Sequence, residues 1–131
     1  MIDLSFKDIF SRIEKAKLGD FDLVVGIKEG GLIPSILAAY KLNCALEFIK
    51  VRHRDENNEP IFDTPRAEST KIKNGTAEKI LIVDDVSVTG KTLDTVKKIL
   101  GQSGVKTLVL KGKADHVLFP EIDGCVNWPW R

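Results

Sequence analysis

The sequence is short of the features that mark a special environment. It has only two cysteines, Cys44 and Cys125, far apart and without metal-ligand spacing. That excludes a disulfide framework and a cysteine-built metal site, and reduced thiols suit a cytosolic protein. No apolar run approaches the ~20 residues of a membrane span. The opening MIDLSFKDIF intersperses acids where a signal peptide would carry an apolar core. Charge of one sign is also lacking. A formal net charge of +1 with no basic stripe argues against nonspecific nucleic-acid binding and against an acidic partner. There is no low-complexity segment, and no internal repeat beyond two similar strand–loop–helix units.

What is present is ordinary in bulk and specific in one place. With 131 residues, 43% hydrophobic and 30% charged, the chain is expected to form one soluble globular domain over 1–131. The specific place is ILIVDDVSVTGKTL, Ile80 to Leu93. Four apolar residues, Ile80 to Val83, read as a buried strand that runs into Asp84 and Asp85. A polar turn, Val86 to Thr92, and a helix, Leu93 to Leu100, follow. The two carboxylates then sit at the carboxyl end of a strand, where open α/β sheets bind ligands. The backbone N–H groups of Thr89 to Thr92 open a helix and offer an anion cradle. Paired acceptors for hydroxyls or a metal, beside an anion cradle, are what a sugar phosphate needs.

Three other readings of this stretch fail. Gly90-Lys91-Thr92 imitates the end of a P-loop, but the required earlier glycine is Asp85. A receiver domain also pairs aspartates after a strand, yet there the strand opens the domain, and Asp84 has too little chain after it. A dinucleotide fold would need G-x-G-x-x-G after a strand, and none occurs.

Strand–helix alternation runs through the rest of the chain. Leu4 to Leu18 has one apolar stripe, with Ser5 as N-cap, Asp8 at the third helical position and Gly19 as the stop. Phe21 to Ile27 is a strand, followed by the glycine-rich turn KEGGLIPS and a helix, SILAAYKL. Gly30 and Gly31 let backbone approach a ligand, and Pro34 suits a first helical turn. Ala45 to Val51 is a third strand. Arg52 to Thr76 is charged and lacks a period, which in a compact domain marks a lid or a small hairpin; Pro60 to Phe62 and Ser69 to Ile72 are its expected short strands. Gly101 to Gly104 ends the central helix, Val105 to Leu110 is another strand, and the tail holds a short strand or two. This alternation predicts an α/β fold with a mostly parallel twisted sheet flanked by helices. His53 and His116 read as surface or structural residues.

VDDVSVTGKTL closely resembles the phosphoribosyl pyrophosphate (PRPP) signature of type I phosphoribosyltransferases. GIKEGGLIPSILAAYKL resembles that family's pyrophosphate loop, nearest to the hypoxanthine and xanthine–guanine subgroup. TLVLK and VNWPWR resemble its purine-reading strand and tail. The resemblance implies the family's Rossmann-like fold with a minimal hood over the base, and carries roles to matching positions. Asp84 and Asp85 would hold the ribose hydroxyls directly or through Mg²⁺, as catalytic and metal-binding residues. Val88, Thr89, Gly90, Lys91 and Thr92 would bind the 5′-phosphate. Lys28, Glu29, Gly30 and Gly31 would contact pyrophosphate, with Lys28 also counted among the catalytic residues, in a loop that often has a non-proline cis peptide. Lys111, with Lys113 as the fallback, would read the base beside the backbone of Cys125 and Val126. Trp128 and Trp130 would stack on the base or pack in the core or a dimer. Arg52, Arg54 or Arg66, in the lid, would neutralise the leaving group.

The implied reaction is transfer of ribose 5-phosphate from PRPP to a purine-like nucleobase, with Mg²⁺ and release of pyrophosphate, by a cytoplasmic homodimer acting on small molecules. Purine members usually carry an Asp in the middle of the phosphate loop, and here that position is Val88, which cannot transfer a proton. Two alternatives follow: a non-catalytic PRPP- or nucleotide-binding regulatory protein, and a transferase with a non-purine acceptor.

Overall fold

A computed structural model describes residues 1–52, 66–67, 77–101 and 104–131. In chain order the elements are β1 (Ile2–Asp3), α1 (Phe6–Lys15), β2 (Leu23–Lys28), α2 (Leu32–Leu42), β3 (Ala45–Arg52), β4 (Arg66–Ala67), β5 (Ile80–Ser87), α3 (Lys91–Leu100), β6 (Val105–Gly112), β7 (His116–Val117) and β8 (Val126–Asn127). The main sheet has the order β4-β3-β2-β5-β6-β7. Its neighbours pair parallel except for β4, which joins the edge antiparallel through Val51↔Ala67. A separate pair, β1 with β8, ties the start of the chain to its tail.

Strand order decides where a ligand can go. After β2 the chain turns to one side to make β3, then returns to lay β5 against the other side of β2. The connections leaving β2 and β5 therefore diverge, and a crevice opens between their carboxyl ends, as at the switch point of any open α/β sheet.

Period-two alternation explains the two cores. In β5, Leu81 and Val83 face a layer made of α1, α2 and the tail, with Ile9, Ile13, Ala38, Leu118 and Trp128. Ile80 and Ile82 face the other way, onto Leu93 and Val96 of α3 and Val25 and Ile49 of the neighbouring strands. A strand covered on both faces has to be apolar at successive positions, which is why Ile80 to Val83 is an unbroken run.

Several boundaries differ from the sequence reading. Helix α1 opens as expected, with a capping box: Asp8 N–H donates to Ser5 Oγ at 3.0 Å and Ser5 N–H to Asp8 Oδ2 at 2.9 Å. It stops at Lys15, short of Leu18 and Gly19, with Ala16 extended. The Lys41 ammonium of α2 takes the carbonyls of Ile13 and Glu14, each at 2.8 Å, and of Ala16, satisfying that end of the helix from outside. Helix α2 starts at Leu32, earlier than Ser35. Pro34 falls in its first turn, where no N–H partner is needed. The largest difference is β5, which continues through Asp84 and Asp85 to Ser87 where a turn was expected from Val86. Strand β6 extends beside it to Gly112, supplying ladder partners for Asp84, Val86 and Ser87. That extension needs Gly112: it sits at φ +116, and a Cβ there would fall 1.9 Å from the Ser87 carbonyl oxygen. The expected strands Pro60 to Phe62 and Ser69 to Ile72 lie outside the described residues.

Candidate functional site

The two acids lie where β5 emerges from the core. Asp85 is buried and Asp84 partly so. Asp85 N–H donates to Asp84 Oδ1 at 2.8 Å, and Val86 N–H donates to Asp85 Oδ1 at 2.7 Å. Each carboxylate thus has one oxygen fixed by the next backbone amide. Burial pushes the Asp84 carboxyl well above its usual range, and the neighbouring Asp85 charge adds to the push. The Arg131 charge offsets this only in part, and a cation or a set of hydroxyls would supply the rest.

Across the crevice, β2 ends at Lys28 and the Lys28–Glu29 peptide is cis, as the resemblance implied for this loop. Gly30 and Gly31 follow at the tightest point of the site. A Cβ on Gly30 would lie 2.3 Å from Asp85 Oδ2, and one on Gly31 2.4 Å from the Val83 carbonyl oxygen. Side chains at either position would push the β2 loop off β5, so the glycines bring Lys28–Gly31 and Asp84–Asp85 into one site. The Lys28 ammonium stands 5.4 Å above the Phe48 ring.

The loop after β5 carries Val88, Thr89 and Gly90, with Val88 75% exposed. Gly90 is the N-cap of α3 at φ 85, and Lys91 N–H donates to Thr89 Oγ1 at 3.3 Å. Val88 to Thr92 therefore lead into a helix N-terminus, as the anion-cradle reading requires.

Two carboxylates beside a phosphate-type loop fit Mg²⁺. That ion commonly uses one or two protein carboxylates and completes its shell with water and substrate oxygens. Among the described residues no group of three metal-type side chains exists, so an all-protein cage is absent from that part of the chain. Asp84 and Asp85 are the pair that would hold the ion.

The proposed base-side residues are brought together by the tail. Lys111 lies beside Val86 in the ladder, and its ammonium donates to the Gly124 carbonyl at 2.6 Å. A cavity of about 280 Å³ is lined by Lys111, Gly112, Val117, Phe119 and Asp123 among others. Cys125 follows Gly124, is exposed, and accepts Ile2 N–H on its carbonyl at 3.1 Å; Val126 pairs with Ile2. Val126 is thus in the small β1–β8 sheet and Cys125 is held at its end. Trp128 is core, and Trp130 stacks flat on it at 5.5 Å between centroids. His116 is a half-buried β7 residue paired with Leu108. His53 and Arg54, and the side chains of Arg52 and Arg66, lie outside the described residues.

One site residue escaped the sequence reading. Arg131 Nη2 donates to Asp85 Oδ2 at 3.0 Å. The two residues are 46 positions apart, and no local pattern links an arginine after a Trp-Pro-Trp run to an acid on a central strand.

Comparison with known proteins agrees with this geometry. The family model for the phosphoribosyl transferase domain matches residues 5–118. A xanthine-guanine phosphoribosyltransferase from Cereibacter sphaeroides is 30% identical over 121 residues, covering 86% of this chain and 70% of its own. An orotate phosphoribosyltransferase from Sulfurisphaera tokodaii is 27% identical over 100 residues, covering 76% of this chain and 47% of its own, so the chain spans about half the length of that relative. Among solved structures, a purine phosphoribosyltransferase from Pyrococcus horikoshii superposes with a TM-score of 0.70 at 28% identity, covering 98% of this chain and 92% of its own.

Proposed function

Because the chain belongs to the phosphoribosyltransferase family, we propose that it transfers the ribose 5-phosphate group of PRPP to a ring nitrogen of a purine-like base, with Mg²⁺, and releases pyrophosphate. The observation that carries this reading is the meeting of two loops at the switch point: Gly30 presses against the Asp85 carboxylate, so an anion cradle on β2 and a diol-binding acid pair on β5 share one crevice. PRPP needs both, since its pyrophosphate and its ribose hydroxyls lie next to each other.

In this reading Asp84 and Asp85 accept hydrogen bonds from the ribose 2′- and 3′-hydroxyls, and Val88 to Thr92 hold the 5′-phosphate through backbone N–H groups. Lys28 to Gly31 hold the pyrophosphate. Bound Mg²⁺ would supply positive charge to the leaving group and to the acid pair. The bond between C1 of the ribose and the pyrophosphate oxygen breaks with its electrons on the oxygen. The lone pair of the base nitrogen makes the new C–N bond, and the nitrogen's proton leaves to solvent or another acceptor. The protein's part is to fix both partners, match the charge that develops and exclude water from the cation-like ring. Lys111, the Gly124–Val126 segment and the adjoining cavity are the base side of this reading. We propose a cytoplasmic protein that acts on small molecules as a homodimer and binds neither nucleic acid nor membrane. Among the described residues no helix is long and apolar enough to cross a membrane.

The test is direct. The protein is mixed with PRPP, Mg²⁺ and a panel of purine and pyrimidine bases, and pyrophosphate release is followed. Release with a purine is the expected outcome. PRPP binding without release from any base overturns the enzyme reading in favour of a nucleotide-binding regulator. That second reading draws on Val88, whose exposed apolar side chain stands in the loop where a carboxylate would serve as proton acceptor. Release with a non-purine alone transfers the assignment to another acceptor class.

A further inference from the structure

The Asp85 carboxylate is engaged on every side. Its side chain is 9% exposed, and each oxygen has a partner: Oδ1 accepts Val86 N–H at 2.7 Å and Oδ2 accepts Arg131 Nη2 at 3.0 Å. Gly30 lies against the same group, where an added Cβ would meet Oδ2, Cγ and Oδ1 at 2.3, 2.4 and 2.5 Å. The backbone of β5 thus fixes one oxygen, and the loop after β2 covers one face. The side held by Arg131 is the one that can open without unmaking the sheet.

Arg131 differs from the other cations of the crevice. Lys28 ends β2 and stands 5.4 Å above the Phe48 ring, and Lys91 opens α3. Among the described residues neither makes an ion pair, whereas Arg131 does. The Arg131 side chain is 63% exposed, so its guanidinium can return to water at small cost while Asp85 cannot. The tail sets its reach: Arg131 N–H donates to the Trp128 carbonyl at 3.2 Å, Trp128 is buried, and Trp130 is stacked on it. A cavity of about 470 Å³, bounded by Gly30, Trp130 and Arg131 among others, lies beside the bond and leaves room for the side chain to move.

We infer that Arg131 is a latch on the acid pair, a positioning residue acting through Asp85: its guanidinium holds the place of the divalent cation that Asp85 takes, and cation binding displaces it. The inference rests on the PRPP reading of the same site. A buried carboxylate without a partner is costly, so a removable internal counter-charge keeps Asp85 compensated until a ligand arrives. Opening the latch exchanges one charged partner of Asp85 for another. A sugar hydroxyl alone brings no charge to offset the lost ion pair, whereas a divalent cation brings two. The latch therefore ties occupancy of the site to the cation, and the cation to the position of the tail.

The experiment is carbon-detected NMR of the isotope-labelled full chain, which reads the Asp85 carboxyl and the Arg131 guanidinium carbons directly. Mg²⁺ alone is titrated into wild type, Arg131→Gln and Lys91→Gln at pH 9, above the Asp84 value of about 8, so that the proton on Asp84 does not compete with the cation. PRPP follows at saturating Mg²⁺. In wild type the Arg131 signal is expected to leave its starting position as the Asp85 signal saturates. Arg131→Gln is expected to take Mg²⁺ about fivefold more tightly, because it has lost a competitor whose bond lies between an exposed ion pair and a buried charge-assisted one. Lys91→Gln removes a charge that is not bonded to Asp85 and should gain much less. An equal gain in Lys91→Gln would mean a general field effect and overturns the inference, as does unchanged or weaker affinity in Arg131→Gln. So does an Arg131 signal that stays put while Asp85 saturates, or Mg²⁺ that reaches Asp85 in none of the three proteins. Those results leave the PRPP reading intact. Failure of PRPP to shift the Asp84 and Asp85 signals under any condition removes the site reading itself, and this inference with it.

Discussion

Asp84 shows why the site is costly to the ligand-free fold. Its carboxyl is raised from the ordinary 3.8 to about 8 by burial, with the Asp85 charge adding. Between those values the unfolded chain has released the proton and the folded chain keeps it, so stability falls as pH rises across that window and the loss is complete above about 8. Asp84→Asn removes the ionisation. We expect the ligand-free variant, in EDTA, to melt at a higher temperature than wild type at pH 8 and to lose this part of the pH dependence. The same variant should lose PRPP binding. Thermal melts from pH 5 to 9 beside a PRPP titration check both signs. A variant that is destabilised at pH 8, or that still binds PRPP as wild type does, contradicts this account of Asp84.

Asp84, Asp85, Gly30 and Gly31 were legible in the sequence because each is a chemical type at a meaningful spacing: paired acids after an apolar run, paired glycines before a helix. Arg131 was not. Its role exists only through a contact with Asp85 across the fold.

Among the elements, β5 is the one whose misread end bears most on the site. The apolar run ends at Val83, and the polar residues after it looked like a turn. They stay in the strand because β6 offers ladder partners as far as Gly112. The extension sets where the Val88–Gly90 loop begins. Gly112→Ala would place a Cβ against the Ser87 carbonyl and force an alanine to φ +116. We expect a destabilisation of roughly 1–3 kcal/mol, read as a lower denaturant midpoint. PRPP binding should weaken as well, because the loop start moves. An unchanged midpoint would show that the β5–β6 ladder does not depend on that glycine. Helix α1 illustrates the opposite case. Ser5 and Asp8 are three apart and make their capping box with no help from the rest of the chain, so the start of α1 was readable, while its end, set by Lys41 of α2, was not.

At the scale of the whole molecule the tail closes the fold. Arg12 Nη1 donates to the Leu118 carbonyl at 2.6 Å, its guanidinium pairs with Glu121, and it lies 4.4 Å from the Phe119 ring centroid. Arg12 therefore fastens α1 to the segment that leads, through Gly124 on Lys111, to Trp128 and Arg131. The exposed ion pair adds little, whereas the carbonyl bond and the ring contact together contribute about 1–2 kcal/mol. Arg12→Ala is expected to lower stability by that amount. It should also raise hydrogen exchange in residues 118–131 more than in β2 or β5. Uniform exchange across the chain would count against a separate tail unit.

The sequence alone determined the α/β class, the acid pair, the glycine-rich loop after β2 and the family they resemble, because each depends on local chemistry or on period-two and helical patterning. Tertiary structure decided which loops face each other. Strand order placed the ends of β2 and β5 on either side of one switch point. The β5–β6 ladder fixed how far the acids' strand continues. Tail packing delivered Arg131 to Asp85. Those outcomes depend on contacts between residues tens of positions apart, which a strand's or helix's own pattern does not encode.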